Sequence, residues 1–218
     1  MNRLWLCSGG AEGDRSSYQC PAADFSIQNS FMPTVFSHAV FAVSMGSAFT
    51  TLPARVADIP ARFWILTALC AALPDMDVIG FAFGIRYGDV LGHRGLSHSM
   101  LVALLLSWVV VAVCFKGQMP GIRRATLIFY FFVVTISHAC LDALTNGGLG
   151  VAFFAPFDNT RYFFPWTPIQ VSPIGASFFT ARGVAVLVNE LGWVWIPSLA
   201  IIMICQVWGR LTIKPETG

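Results

Sequence analysis

Five apolar runs divide this chain, and their lengths restrict what it can fold into. A run of roughly 20 residues can cross a hydrocarbon core as a helix. Stretches of that kind lie at about 34–52, 98–115, 124–145 and 192–209, with a shorter, weaker one near 61–80. Backbone polar groups inside lipid must find partners within the chain, which leaves helices as the economical solution. The runs therefore predict an all-α fold, a polytopic membrane helix bundle of four or five transmembrane segments. Composition supports this, because 56% of the 218 residues are hydrophobic and only 11% charged, unlike an ordinary soluble domain. A net charge of +2 with no basic stripe argues against nucleic acid as a partner. The cysteines form no CxxC pair and lie mostly in apolar segments, so they predict buried small hydrophobes rather than a disulfide framework.

All four histidines sit in short polar motifs bordering the apolar runs: His38 in FSHAVF, His93 and His98 in GHRGLSHS, and His138 in SHACLDAL. Carboxylates accompany them, Asp75 and Asp77 in LPDMDV and Asp142 one helical turn after His138. Histidine and carboxylate are the usual ligands of zinc and similar ions. Ionisable groups near hydrocarbon are costly and usually mark function. His38 alone could be a hydrogen-bonded packing residue, and PDMD alone a solvated helix end. Arg94, between the two histidines of its motif, faces either a substrate anion or, as a snorkelling cation, the interface.

Chain order places the motifs together. With 61–80 counted as a crossing, His38 begins the first segment and Asp75 and Asp77 end the second. His93, Arg94 and His98 precede or open the third, and His138 and Asp142 close the fourth. An up-and-down bundle brings all of these to one membrane face. His138 and Asp142 are i and i+4 and project from one side of a helix. His93 and His98 are five apart, which assigns His93 to a turn and His98 to a first helical turn, with Ser97 as its N-cap. The expected metal ligands are His38, Asp75, His93, His98, His138 and Asp142, and the expected catalytic groups are Asp75, Asp77 and Arg94.

The connection at about 146–191 is aromatic and proline-rich and emerges at the same face. It reads as an interfacial belt that could also cover the site, with Asp158 and Arg161 as its polar contacts to substrate. Positive charge favours the opposite face, with Arg55, Arg62, Lys116, Arg123, Arg124, Arg210 and Lys214 against Arg86, Arg94, Arg161 and Arg182. The positive-inside rule then turns the site away from the cytoplasm. Residues 1–31 contain no continuous apolar core and read as a disordered or mis-assigned extension, leaving 32–218 as one membrane-embedded domain.

The PTVFSHAVF opening after Met32, LPDMD, GHRGLSHS, HACLDALTNGG and APFDNTRYFFPW together resemble the YdjM-type inner-membrane proteins, a LexA-regulated family to which metal-dependent hydrolysis is ascribed. The resemblance runs from about Met32 to Pro173 and implies an inner-membrane, multi-pass location. That family is in turn similar to zinc-dependent phospholipase C, a remote likeness that carries His38, Asp75, His98, His138 and Asp142 over as zinc ligands. The implied chemistry is water activated by a divalent metal, zinc by preference. A spare carboxylate, Asp75 or Asp77, takes the proton, and Arg94 steadies negative charge. The expected partners are the lipid bilayer and an amphiphilic phosphoester or lipid-like substrate. Two other readings fit the same residues, a structural or regulatory metal site in a non-catalytic protein, and a metal or ion transporter.

Overall fold

A computed structural model describes residues 31–32, 34–51, 59–117, 122–173 and 179–211 of the chain. Residues 1–30, with most of the expected N-terminal extension, lie outside the described residues, as do Arg55 and Lys214. The elements are β1 (Phe31–Met32), α1 (Val35–Thr51), α2 (Ala61–Ala72), α3 (Met100–Cys114), α4 (Arg124–Ala143), β2 (Ser172–Pro173), α5 (Ala181–Glu190) and α6 (Ile196–Leu211). A 3-10 segment, Leu73–Phe83, continues α2, and a π-helical segment, Leu191–Trp195, joins α5 to α6. The two strands form one antiparallel pairing of two residues each; among the described residues the other regular elements are helices, with isolated bridges Thr145–Ile169 and Val151–Tyr162 in the connection after α4.

Among the described residues three helical stretches are long and apolar enough to cross a membrane: Ala61–Phe83, Arg124–Ala143 and Ala181–Leu211. Val35–Thr51 and Met100–Cys114 are shorter apolar helices beside them. The weak second run is thus one of the longest spans. At Pro74, which has no N–H to continue the α-helical ladder, the helix changes from α to 3-10 and runs on to Phe83. The last span starts earlier than the apolar run at 192 suggested. Arg182, Asn189 and Glu190 interrupt the run in sequence, but Glu190 is buried and paired, so the helix passes through it. The connection after α4 is correspondingly shorter than 146–191.

A buried aromatic core fills one end of the bundle. The Phe63 ring stacks on Tyr130 at 4.9 Å and meets Phe131 at 5.9 Å, while Phe115, Leu127 and Val111 complete the cluster. Tyr130 brings a hydroxyl into this apolar region and satisfies it with Thr67 at 2.8 Å, as a buried polar group requires. Close approach of α1 to α2 depends on Gly46, where a Cβ would lie 2.7 Å from the Trp64 ring. The polar cluster occupies the other end, at the start of α1, the close of α4 and the junction of α2 with its 3-10 extension.

Candidate metal centre

His138 and Asp142 face inward from the last turns of α4, both fully buried. The His138 Nδ1 lies 2.6 Å from the carbonyl of Ala71. A carbonyl only accepts, so Nδ1 carries the proton and the Nε2 of a neutral ring presents its lone pair. His98 reaches the same point from the 3-10 turn before α3. Its Nδ1 is 2.9 Å from Ser97 Oγ and 3.2 Å from Asp77 Oδ2. Ser97 spends its own proton on Asp77 at 2.5 Å, so His98 must donate from Nδ1 as well. Two Nε2 lone pairs then confront each other across 3.0 Å. Such an arrangement is repulsive without a cation between them.

Two carboxylates complete the group. Asp75 Oδ1 lies 3.1 Å from His138 Nε2, and Asp142 Oδ2 lies 3.0 Å from His98 Nε2. Ligand atoms of Asp75, His98, His138 and Asp142 all fall within 4.8 Å of one another. Nitrogens bound tetrahedrally at about 2.0–2.1 Å to one ion would sit ~3.3 Å apart, close to the spacing found here. Asp75 Oδ2, Asp142 Oδ2 and both nitrogens of His38 are buried without a hydrogen bond, whereas buried polar atoms normally have one. The donor set, its tautomers and its unsatisfied atoms therefore fit a divalent ion. The cluster calls for positive charge.

His38 lies beside the four rather than among them. Its ring stacks on His138 at 3.7 Å between centroids, and its Nε2 stands 3.8 Å from Asp142 Oδ1. His93 and Asp77 form a second group with the far side of His98. The His93 Nδ1 lies 2.7 Å from Asp77 Oδ1, and the Arg94 backbone N–H donates to Oδ2 at 3.2 Å. With Ser97 and His98 added, four donors converge on Asp77. Both oxygens of the Asp77 carboxylate are thereby engaged, the kind of contact by which a carboxylate can orient a histidine. His93 is held behind Asp77, away from the point where His98 and His138 meet.

Arg94 is fully buried and points inward. Its guanidinium donates to Asp142 Oδ1 at 3.3 Å, to Thr145 Oγ1 at 3.1 Å and to the Gly147 carbonyl at 3.0 Å. It is thus an internal counter-charge to Asp142 rather than a snorkelling cation. The residue takes a left-handed φ of 59°, which costs a non-glycine side chain energy. Its peptide is pinned in compensation, since the Ala152 N–H donates to the Arg94 carbonyl at 3.0 Å. Gly148 makes room for it, because a Cβ there would come within 2.9 Å of Arg94 Nη1.

The loop residues expected to meet substrate have other partners. Arg161 donates to the carbonyls of His93 at 2.9 Å and Tyr87 at 3.0 Å, fastening the loop after α4 to the turn that carries His93 and Arg94. Asp158 is exposed and accepts from the Thr160 N–H at 2.8 Å and the Tyr162 hydroxyl at 3.2 Å; the Thr160 contact draws its pKa down. Ser97 is not the cap of α3. Ser99 caps it instead, accepting from the Val102 N–H at 3.2 Å, and Ser97 is turned to Asp77.

Glu190 was not singled out from the sequence. It is fully buried and accepts from the Thr34 N–H at 2.6 Å, the Thr34 hydroxyl at 2.5 Å and the Ser37 hydroxyl at 2.7 Å. Trp195 Nε1 donates to the same Ser37 hydroxyl at 2.7 Å. The network ties the last span to the first turn of α1, directly before His38. A lone carboxylate in an apolar run was the available signal.

The profile of the family described as "YdjM inner membrane protein" matches residues 32–213. The chain is also 36% identical over 180 residues, 82% of its length and 99% of the relative's, to "Inner membrane protein YbcI" of Escherichia coli (strain K12). No solved structure matches, and none of these findings adds support to the likeness with phospholipase C. A buried His/Asp cluster capable of holding a metal ion, set among membrane-length helices, thus occurs in a chain that belongs to the YdjM inner membrane protein family.

Proposed function

We propose that this protein is a membrane-bound, metal-dependent hydrolase acting on a phosphoester or lipid-like substrate. The observation that carries the reading is the pair of Nε2 lone pairs of His98 and His138 facing each other at 3.0 Å between two buried carboxylates. Asp75, His98, His138 and Asp142 would hold the ion, and a two-histidine, two-carboxylate set favours zinc. When bound, such an ion polarises a phosphoryl or carbonyl oxygen and brings the pKa of a coordinated water toward roughly 7. Asp75 Oδ2, buried and without a hydrogen bond, is the carboxylate oxygen free to take a proton from that water. Asp77 serves as the positioning residue for His98, and Arg94 balances the charge of Asp142. His38 lies against the site from α1 with both nitrogens unsatisfied, open to the ion or to substrate.

A second reading has one observation in its favour. Four protein ligands in one group are what a closed structural zinc site uses. Metal analysis of the detergent-purified protein, beside a His138→Ala, Asp142→Ala double variant, tests for the ion. Assay of the zinc-loaded protein on bis(p-nitrophenyl) phosphate and on phosphatidic acid in vesicles then separates the two readings. Zinc lost in the variant together with turnover by wild type supports the hydrolase; zinc without turnover supports the structural ion; a folded wild type that takes up no zinc removes both.

The charge bias between the two faces supports an extracytoplasmic site with a cytoplasmic C-terminus, and a C-terminal reporter active only outside the cytoplasm would refute it. Residues 1–31 form a dispensable extension to a domain at 32–218 in this proposal. A protein begun at Met32 that no longer binds zinc would contradict that.

A further inference from the structure

Two spans continue well past the level of the cluster. Asp75 marks that level in the second span, and the 3-10 segment runs on to Phe83, a rise of ~16 Å at about 2.0 Å per residue. Glu190 marks it in the last span, because its carboxylate holds Thr34 and Ser37 at the start of α1. From Glu190 back to Ala181 is a rise of ~14 Å at about 1.5 Å per residue. The two independent measures agree.

Both extensions show apolar side chains outward. Met76, Ile79 and Phe83 are 56%, 49% and 80% exposed, and Val184 and Val188 are 62% and 65% exposed. A helix lying flat on a membrane surface keeps one strongly polar face. Val78–Ile85 contains no polar side chain at all, so water has nothing to solvate on any side of it. Each extension ends at an arginine, Arg86 beyond Phe83 and Arg182 in the first turn of α5. Cations at that position fit the headgroup level. The backbone that carries His93 and Arg94, Gly92–Gly95, is buried in protein.

We infer that the cluster lies inside the bilayer, about 15 Å beneath the membrane surface on its own side. The depth stands on the two extensions alone; its chemical consequence rests on the hydrolase reading. A reactive group at that depth belongs to a membrane-dissolved amphiphile, whose scissile bond can be brought below the headgroup plane. A solute confined to water would have to leave its hydration shell to arrive there.

Substituted-cysteine labelling of the full chain in phosphatidylethanolamine/phosphatidylglycerol vesicles tests the depth. The vesicles are permeabilised so that a charged methanethiosulfonate reaches both sides, and labelling is read peptide by peptide. Ile79→Cys and Val184→Cys, on different spans and outside the cluster, are expected to react ~10-fold or more slowly than Arg86→Cys, since the reactive thiolate forms in water. The same chains in SDS should react alike. Reaction of both at the rate of Arg86→Cys overturns the inference. The labelling needs no ion, so a zinc-free wild type would remove the hydrolase reading and leave the depth intact. Fast labelling in a zinc-loaded protein would do the reverse.

Discussion

Replacing Asp77 by Asn keeps the side chain's size and removes its charge, at the point where four donors converge. His93 Nδ1 at 2.7 Å, Ser97 Oγ at 2.5 Å, and the Arg94 N–H and His98 Nδ1 at 3.2 Å all face the two carboxylate oxygens. An Asn offers one acceptor oxygen and turns an NH2 group toward the remaining donors. His98 then loses the partner that fixes its tautomer and aims Nε2 at the ion site. Loss of such an outer partner weakens metal affinity ~10- to 100-fold, or about 1.4–2.7 kcal/mol. Each buried donor left unsatisfied costs a further ~1–3 kcal/mol of folding stability. Zinc affinity, measured by competition with a fluorescent chelator in detergent, is expected to fall by that factor in Asp77→Asn and to vanish in Asp75→Asn. Thermal melting without zinc reports the stability cost separately. A folded Asp77→Asn protein with wild-type zinc affinity but no turnover would refute the positioning role and make Asp77 the proton acceptor.

Arg94→Met strands the buried carboxylate of Asp142, a loss of ~3–5 kcal/mol that should appear as a large drop in melting temperature; a melting curve matching wild type would show that Asp142 does not depend on the guanidinium. Glu190→Ala leaves the Thr34 and Ser37 donors without their charged acceptor, at ~1.5–3 kcal/mol for each hydrogen bond lost. Because Trp195 shares Ser37, its fluorescence should shift as well, and unchanged melting would place the α1 attachment elsewhere. Gly46→Val forces a side chain into the Trp64 ring and should destabilise by about 1–3 kcal/mol through overpacking, with zinc affinity largely retained because the contact lies at the far end of the bundle. Zinc at a hundred times its dissociation constant should stabilise the wild type by ~2.7 kcal/mol, and a melting temperature indifferent to zinc would argue against the site.

What could be read from the residues alone followed from hydrophobic length and motif order. Five apolar runs specify a helical membrane bundle whatever their packing, because lipid leaves the backbone few other solutions. Motifs at alternating ends of successive runs meet at one end for the same topological reason. That is why His38, Asp75, His93, His98, His138 and Asp142 could be expected at one end; the structure gathers Asp75, His98, His138 and Asp142 into one group and sets His38 and His93 beside it. Tertiary structure decided the roles, since these depend on direction and distance across elements far apart in sequence. Asp77 is two residues from Asp75, yet it turns to His93 and Ser97 instead of the facing Nε2 atoms. Arg94 sits between two histidines, yet a left-handed backbone folds it inward onto Asp142. Glu190 looked like an interruption of the last apolar run, and only the fold supplied the Thr34 and Ser37 partners that let a helix carry a buried charge through it. A sequence states which side chains must escape lipid; which partner each one finds there is a property of the packed chain.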